Sequence, residues 1–327
     1  VNMRAYIIRR LLLIVPTLLL VTIIVFLSVR FIPGSVIDLM VSEMATESAL
    51  GSELTAATLR HSLGLDVPIH VQYGRWLTAA VRGDLGKSLW TDSSITEELF
   101  RRLPISLELG ILAIITALLI AIPIGVYSAM RQDTWGDYGG RTIAILAISL
   151  PSFWIGTMVM VYPSIWWNWS PAMEYIPFMS NPAGNLLQFI IPAVIMGMVM
   201  SGTTMRMTRT MMLEVLRQDY IRTAWSKGLA ERSIILRHAL KNALMPVVTI
   251  VGMLLPVLIG GSVVLEQIFA LPGIGRYLIE AINGRDYPVI SGINLVLATF
   301  VLLINLVVDL TYAYLDPRIQ YLSLIHI

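Results

Sequence analysis

The chain has 327 residues, of which 56% are hydrophobic and 13% are charged, and its formal net charge is +2. Soluble domains average about 45–50% apolar and about 25% charged residues, so this composition indicates an integral membrane protein in contact with a lipid bilayer. The small net charge gives no reason to expect a nucleic-acid partner. The chain contains no cysteine, which excludes a disulfide framework and a thiolate site.

Six apolar runs are long enough to cross the hydrocarbon core, which takes about 20 residues as a helix. They cover residues 11–29, 109–130, 142–165, 186–205, 243–265 and 289–308. The first exceeds a signal-peptide core and lacks a small-residue cleavage site, so we interpret it as a retained span. The third contains Pro151 and Gly156, which we expect to kink it or to pack closely against a neighbouring helix.

Lysine and arginine are concentrated in alternate connecting segments. Arg131 and Arg141 lie between the second and third runs and eight basic residues lie in 206–244, whereas two short loops of the opposite side hold only Arg276 and Arg285. Cytoplasmic loops carry the excess of basic residues in membrane proteins. The sequence therefore predicts an all-α integral membrane protein with six transmembrane helices and both termini in the cytoplasm.

The long outer segment after the first run is predicted to be a small helical cap. Helices are expected at 54–65 and at 68–81, the latter with Pro68 near its start. Ser94 and Glu97 have the spacing of a capping box at the start of a third helix. The predicted domains are 1–32 (N-terminal flank and first transmembrane helix), 33–102 (extracytoplasmic cap), 103–320 (spans 2–6 with a cytoplasmic coupling loop, 206–244) and 321–327 (tail).

The loop 206–244 contains a short basic helix with apolar residues at helical spacing. Its apolar members are Tyr220, Ile221, Ala224, Trp225 and Leu229. Arg222 and Lys227 lie around them, and Gly228 stands where a left-handed glycine would end the helix. Two interpretations compete: contact with anionic lipid and docking to a groove on a protein partner. Trp225, the glycine break and the ordered return helix favour docking.

No catalytic cluster, cofactor site or metal site is predicted. The four histidines are scattered, and none has a second ligand at the spacing of a metal site. The segment Gly83-Asp-Leu-Gly-Lys-Ser88 has two residues between its glycines, where a phosphate-binding loop has four, so we expect a turn. A membrane enzyme therefore has no support in the sequence.

Carboxylates are missing from the middle of the predicted spans, which argues against an ion-coupled secondary carrier. Polar side chains at these depths are candidates for lining a translocation pathway, although such groups more often bond between helices. The candidates are Ser149, Ser152, Thr157, Ser201, Thr203, Ser262 and Asn305.

The segment Arg222-Thr-Ala-Trp-Ser-Lys-Gly228, followed by His238-Ala-Leu240, resembles the EAA loop of membrane subunits of binding-protein-dependent ABC importers. Motifs over about residues 3–320 are similar to those of the B-type permeases of dipeptide and oligopeptide systems. Among them are Gly83-Asp-Leu-Gly86, Ser149-Leu-Pro-Ser-Phe-Trp154 and Arg285-Asp-Tyr-Pro288. Two positions depart from the general EAA pattern: Arg222 replaces its glutamate and Lys241 its proline. The tail 321–327 does not resemble the family.

The resemblance implies a transport subunit in a bacterial or archaeal cell membrane, with ATP hydrolysis on separate subunits. The implied partners are a second homologous permease subunit, two ABC ATPase subunits and an extracytoplasmic peptide-binding protein. Docking to the ATPase would fall to Tyr220, Ile221, Arg222, Ala224, Trp225, Lys227, Gly228 and Leu229. The sequence leaves open whether the substrate is a di- or oligopeptide, a nickel chelate or glutathione. A stand-alone secondary carrier is the rival from another class.

Overall fold

The computed structural model describes residues 3–30, 61 and 66–315, and every regular element of this part of the chain is a helix. The all-α prediction is therefore confirmed for the described residues. The helices are α1 (Met3–Arg30), α2 (Ile69–Val81), α3 (Ile95–Met130), α4 (Trp135–Ser149), α5 (Ser152–Trp167), α6 (Pro182–Leu216), α7 (Asp219–Ser226), α8 (Glu231–Ser233), a π-helical segment (Ile234–Ala239), α9 (Leu240–Ile268), α10 (Ile274–Asn283) and α11 (Tyr287–Leu315). The predicted cap helix 54–65 and the tail lie outside the described residues.

Helices occupy all six positions at which the sequence predicts a span. Within the described residues, three are long and apolar enough to cross a membrane: α3, α6 and the part Tyr287–Val308 of α11. The pair α4 and α5 makes a fourth if it is counted as one bent span. The apolar part of α1 that meets the test for a shorter helix is Leu12–Ser28. Three to four candidate spans are thus established, and the full number of six stays a prediction.

The third predicted span is broken rather than kinked. Leu150 and Pro151 both have extended backbones, with ψ of 122° and 131°, and the axes of α4 and α5 differ by 89°. A proline disfavours the helical conformation of the residue before it, so α4 ends at Ser149. Gly156 is a packing point as expected, because an added Cβ would lie 3.2 Å from the Leu265 side chain.

Contacts divide the chain into two compact units, Val1–Ile105 with Pro272–Leu303 and Ser106–Leu271 with Ile304–Ile327. The first unit contains the described part of the predicted cap. Its helix α2 follows Pro68 as expected, and the Glu97 N–H donates to Ser94 Oγ at 3.5 Å, at the predicted capping box. No break separates the third cap helix from the second span, because α3 continues from Ile95 through position 102 to Met130.

A loop between α2 and α3 is fixed to the turn before α11 by polar contacts within the first unit. Ser88 Oγ donates to Asp286 Oδ2 at 2.6 Å, and the Leu89 N–H donates to the same oxygen at 3.1 Å. Trp90 Nε1 donates to the carbonyl oxygen of Gly284 at 2.7 Å. Burial raises the pKa of the Asp286 carboxyl, while the hydrogen bonds from Ser88 and Leu89 favour its ionised form.

The second unit is built around α6, which packs against α4 on one side and α9 on another. Glycines allow the helices to approach closely. A Cβ added at Gly202 would lie 2.6 Å from the carbonyl oxygen of Ala144, and one at Gly197 would lie 2.7 Å from that of Ala113. Small residues at such crossings are typical of helix packing in membranes, where backbones must come close for good van der Waals contact.

Candidate functional site

The strongly basic segment begins as a continuation of α6. The helix does not end with the apolar run at 205 but extends to Leu216, and the chain then turns at Arg217 and Gln218 into α7. Asp219 lies in the first turn of α7, where a negative charge interacts favourably with the helix dipole. The extension therefore carries α7 on the end of a helix that also forms a candidate span.

One face of α7 is packed into the second unit. Ile221 is completely buried and Ala224 is 8% exposed. Their neighbours in the cluster come from α3, α6 and the return segment: Val126, Ala129, Met212, Ile234, Ile235, Ala239 and Ala243. Burying an isoleucine side chain stabilises a fold by about 1.5–3 kcal/mol. This face attaches α7 to the helices behind it.

The surface of α7 on either side of this buried face, together with the turn after the helix, is open and is called the open face below. Tyr220, Trp225 and Leu229 are 44%, 46% and 41% exposed, and Arg222 and Lys227 are exposed beside them. Asn242 Nδ2 donates to the Tyr220 hydroxyl at 2.8 Å, which links the start of α7 to α9. Large apolar side chains exposed together with a basic rim are typical of a surface that binds another protein. The apolar stripe seen in the sequence is thus divided between an attached face and an open face.

Gly228 ends α7 in the conformation that the sequence predicts. Its φ is +71°, and its N–H donates to the carbonyl oxygen of Trp225 at 3.0 Å. The Leu229 N–H donates to the carbonyl oxygen of Ala224 at 3.4 Å. These two bonds form a Schellman motif, in which glycine is favoured because it has no Cβ. The left-handed helix end is confirmed.

Of the eight residues predicted to contact an ATPase, six are exposed and two are buried. The exposed residues are Tyr220, Arg222, Trp225, Lys227, Gly228 and Leu229. Ile221 and Ala224 lie in the attached face and stabilise the position of α7. The docking role of the set stays a prediction.

The return segment contains an irregular helical turn. After the short α8, residues Ile234–Ala239 are π-helical, and α9 follows directly at Leu240. Ile234 and Ile235 are 0% and 5% exposed and pack under α7. Single π-helical turns are frequent at functional sites. Here the turn supplies two adjacent isoleucines to the cluster that holds α7.

A buried carboxylate is bound by the extension of α6 and is not predicted from the sequence. Asp137 in α4 has no exposed surface. Arg209 Nε and a terminal nitrogen donate to its two oxygens, each at 2.8 Å. Arg141 and Ser128 also donate to it, as does the Asp133 N–H at 3.0 Å. The carboxylate thus joins the end of α3, the start of α4 and the extension of α6.

The sequence contains only part of the signal for this cluster. Asp137 and Arg141 have the i,i+4 spacing of a helical ion pair, and both follow the second apolar run. Arg209 lies 72 residues away along the chain. Only the packing of α4 against α6 brings it to the carboxylate.

The pathway candidates are distributed over five helices. Ser201 and Ser262 are buried, Ser152 and Thr203 are half-buried, and the remaining three are exposed: Ser149, Thr157 and Asn305. Some of these hydroxyls bond to their own helix: Ser149 Oγ donates to the Ile145 carbonyl oxygen at 2.8 Å and Ser201 Oγ to that of Met198 at 2.7 Å. Their part in a pathway stays a prediction.

Among the described residues, no group of three or more His, Cys, Asp and Glu side chains is placed to hold a metal ion.

The sequence matches known membrane transport proteins over nearly its whole length. Residues 121–321 match the family described as binding-protein-dependent transport system inner membrane component, and residues 3–110 match the N-terminal region of such membrane components. A dipeptide transport system permease protein of Alkalihalophilus pseudofirmus is 41% identical over 339 residues, covering 98% of this chain and 100% of the relative. The dipeptide transport system permease protein of Escherichia coli (strain K12) is 37% identical over 342 residues, covering 98% and 99%.

Among solved structures, a crystal structure of an amino acid ABC transporter with histidines matches 68% of this chain and 94% of its own chain. The sequence identity is 12% and the TM-score is 0.49.

Proposed function

Since the chain belongs to the family of inner-membrane components of binding-protein-dependent transport systems, we propose that it is one of two membrane subunits of an ABC importer for di- or oligopeptides. The family expected from the motifs is confirmed, and membership in it makes the chain a transport subunit rather than an enzyme. Its place is the inner membrane of a bacterium, as the bacterial relatives suggest.

The single observation that carries the proposal is the two-faced helix α7. A helix that merely touches lipid needs no buried anchor, yet Ile221 attaches α7 to the bundle. The open face combines Tyr220, Trp225 and Leu229 with basic neighbours, which suits a groove on a soluble subunit. In this proposal the groove belongs to an ABC ATPase, and ATP is hydrolysed there, on a separate chain.

The proposed topology has six spans and both termini in the cytoplasm. Contacts inside the second unit support it, because the segment after α3 and the extension of α6 meet at Asp137 and Arg209, as two segments on one membrane side must. Contacts inside the first unit support it likewise. There Ser88, in the predicted outer cap, bonds to Asp286 before α11.

The peptide substrate is inferred from the names of the relatives, which are dipeptide permeases. The remaining partners are a second homologous permease subunit and an extracytoplasmic peptide-binding protein. We place the choice among peptides, nickel chelates and glutathione largely in that binding protein. The stand-alone carrier is the weaker proposal, because it assigns no purpose to the open face of α7.

The absence of native cysteine makes single-cysteine variants a direct test. Lys227→Cys places a thiol on the open face of α7. Met179→Cys places one at a 93% exposed position in the loop between α5 and α6, which the proposed topology puts on the outer side. In cells, a membrane-impermeant maleimide should label Met179→Cys only. In membranes that also contain the products of the neighbouring genes, Lys227→Cys should cross-link to an ATPase subunit. Labelling of Lys227→Cys from outside, or cross-links only to lipid, would contradict the proposal.

A further inference from the structure

A buried ion pair connects the helix that carries α7 to the helix that ends at the 89° break. Arg209, 18% exposed in its side chain, lies on the extension of α6 and binds both oxygens of Asp137. Seven residues separate Arg209 from the end of α6 at Leu216, which is about 10 Å of helix at 1.5 Å per residue. Asp137 lies near the start of α4, about 20 Å of helix from Leu150, where the break occurs.

Helix α6 packs closely against both α4 and α3 in this region. Gly202 of α6 lies against the carbonyl oxygen of Ala144, and Thr208 lies against Gly125 of α3. Asp137 adds hydrogen bonds to the same region, because Ser128 of α3 donates to it as well. The end of α3, the first half of α4 and the extension of α6 therefore have the contacts of one rigid block.

A purely stabilising role explains this arrangement poorly. Replacing a buried ion pair by apolar residues of similar size is often neutral or stabilising, since desolvation of the charges offsets their attraction. What a bidentate arginine–carboxylate pair supplies is a fixed geometry, because two parallel hydrogen bonds resist sliding and rotation of one helix against the other. A fixed geometry is useful where movement of one helix must be passed to another.

We propose that Asp137 and Arg209 are positioning residues that transmit movement of α7 to the broken helix α4–α5. The proposal rests on the proposed function, since it needs an ATPase that moves α7. Movement of the docked α7 displaces the extension of α6, and the Asp137–Arg209 pair forces α4 to follow. The break at Leu150 and Pro151 then converts this displacement into a change of angle between α4 and α5. Arg141 also binds Asp137 but lies on α4 itself, so it transmits nothing between helices.

The test compares Arg209→Gln with the matched control Arg141→Gln in the assembled complex. Each variant removes one arginine from the same carboxylate, but only Arg209→Gln removes the ion pair that joins α4 to α6. The measurements are ATPase rate with and without ligand-loaded binding protein, and peptide moved per ATP hydrolysed. We expect Arg209→Gln to lower peptide moved per ATP by about tenfold while ATP hydrolysis continues, and Arg141→Gln to lower it by less than about twofold.

A conservative variant separates transmission from folding. Arg209→Lys keeps the charge but cannot form two parallel bonds, so it should assemble and show an intermediate loss. A structural role alone would reduce the amount of complex and leave peptide moved per ATP unchanged in what assembles, which overturns the proposal. Equal losses in Arg209→Gln and Arg141→Gln overturn it too. If the wild-type complex moves peptide without ATP, the proposed function fails, and this inference fails with it. If transport by the wild type depends on ATP and the Arg209 variants move as much peptide per ATP as the wild type, only this inference is overturned.

Discussion

Substitution of Gly228 tests the role of α7 against a nearly identical helix end elsewhere in the chain. We expect Gly228→Asp to abolish transport while the protein is still inserted. No atom outside the immediate neighbours lies within 4 Å of a Cβ added at Gly228, so the Cβ itself meets no clash within the described residues. What remains is the left-handed conformation, φ +71°, which costs a residue with a Cβ about 1–2 kcal/mol, less for Asp than for branched residues.

Gly83 provides the matched control. It ends α2 with φ +86°, its N–H donates to the Ala80 carbonyl oxygen at 3.0 Å, and the Asp84 N–H donates to that of Ala79 at 3.0 Å. This is the same Schellman motif, again with open space around an added Cβ. Gly83→Asp therefore introduces the same strain and the same charge in the predicted outer cap.

The assay is peptide uptake per inserted protein in cells that lack the native permease. Both variants should be inserted at similar levels, because the strain is similar and small beside the stability of the helix bundle. Only Gly228→Asp should lose uptake, since only it places a carboxylate beside Lys227 on the open face of α7. Normal uptake by Gly228→Asp would refute the assignment of α7 as a coupling helix. Equal losses in both variants would show that backbone strain alone is responsible.

Three further predictions follow from burial and close packing. Ile221→Ala should lower thermal stability, since truncating a fully buried isoleucine costs about 2–5 kcal/mol. Trp225 is 46% exposed, so Trp225→Ala should leave thermal stability unchanged and weaken ATPase binding. Gly202→Leu should destabilise the packing of α4 on α6 by at least about 1–3 kcal/mol, because a Cβ at this position lies 2.6 Å from the Ala144 carbonyl oxygen. The control Gly139→Ala should be neutral or slightly stabilising, because the space around an added Cβ is open there. Asp286→Asn should flatten the pH dependence of the unfolding temperature. Burial raises the pKa of Asp286 in the folded state above its usual value of 3.8. The neutral carboxyl therefore stabilises the fold fully below about pH 3.8, and this stabilisation is lost as the pH rises through the raised pKa.

Each of these predictions has an outcome that contradicts it. Equal loss of stability in Ile221→Ala and Trp225→Ala would mean that the attached and open faces of α7 are not distinct. A stable Gly202→Leu would disprove the close approach of α4 and α6. An unfolding temperature whose pH dependence is the same in Asp286→Asn as in the wild type would show that this carboxyl titrates alike in both states.

Local features of the fold could be predicted from the sequence because neighbouring residues determine them. Gly228 at a left-handed helix end, Pro68 before α2 and Ser94 before α3 are each explained by one or two adjacent residues. Hydropathy located the apolar runs but not the helix ends. Helix α6 continues to Leu216, beyond the end of its apolar run. A change from apolar to polar side chains does not by itself interrupt the backbone hydrogen bonds of a helix.

Features that depend on packing between distant parts of the chain could not be predicted from the sequence. The apolar stripe of α7 predicted a binding face, but the sequence does not say that Ile221 lies against the bundle while Trp225 stays open. Pro151 indicated a deviation in the third run, yet the 89° angle between α4 and α5 depends on the helices around them. The contact of Asp137 with Arg209 joins residues 72 positions apart, and no local pattern connects them.

In the proposed function, this chain transmits the work of a separate ATPase to the movement of peptide across the membrane. The most direct measurement uses the chain co-purified with the products of its genomic neighbours and reconstituted in proteoliposomes. ATP is placed on the side of α7, and a ligand-loaded binding protein is placed on the other side. We expect the binding protein to stimulate ATP hydrolysis and peptide to enter only when ATP is present. A chain that moves solute in liposomes alone, without ATP or partner subunits, would refute the proposed function.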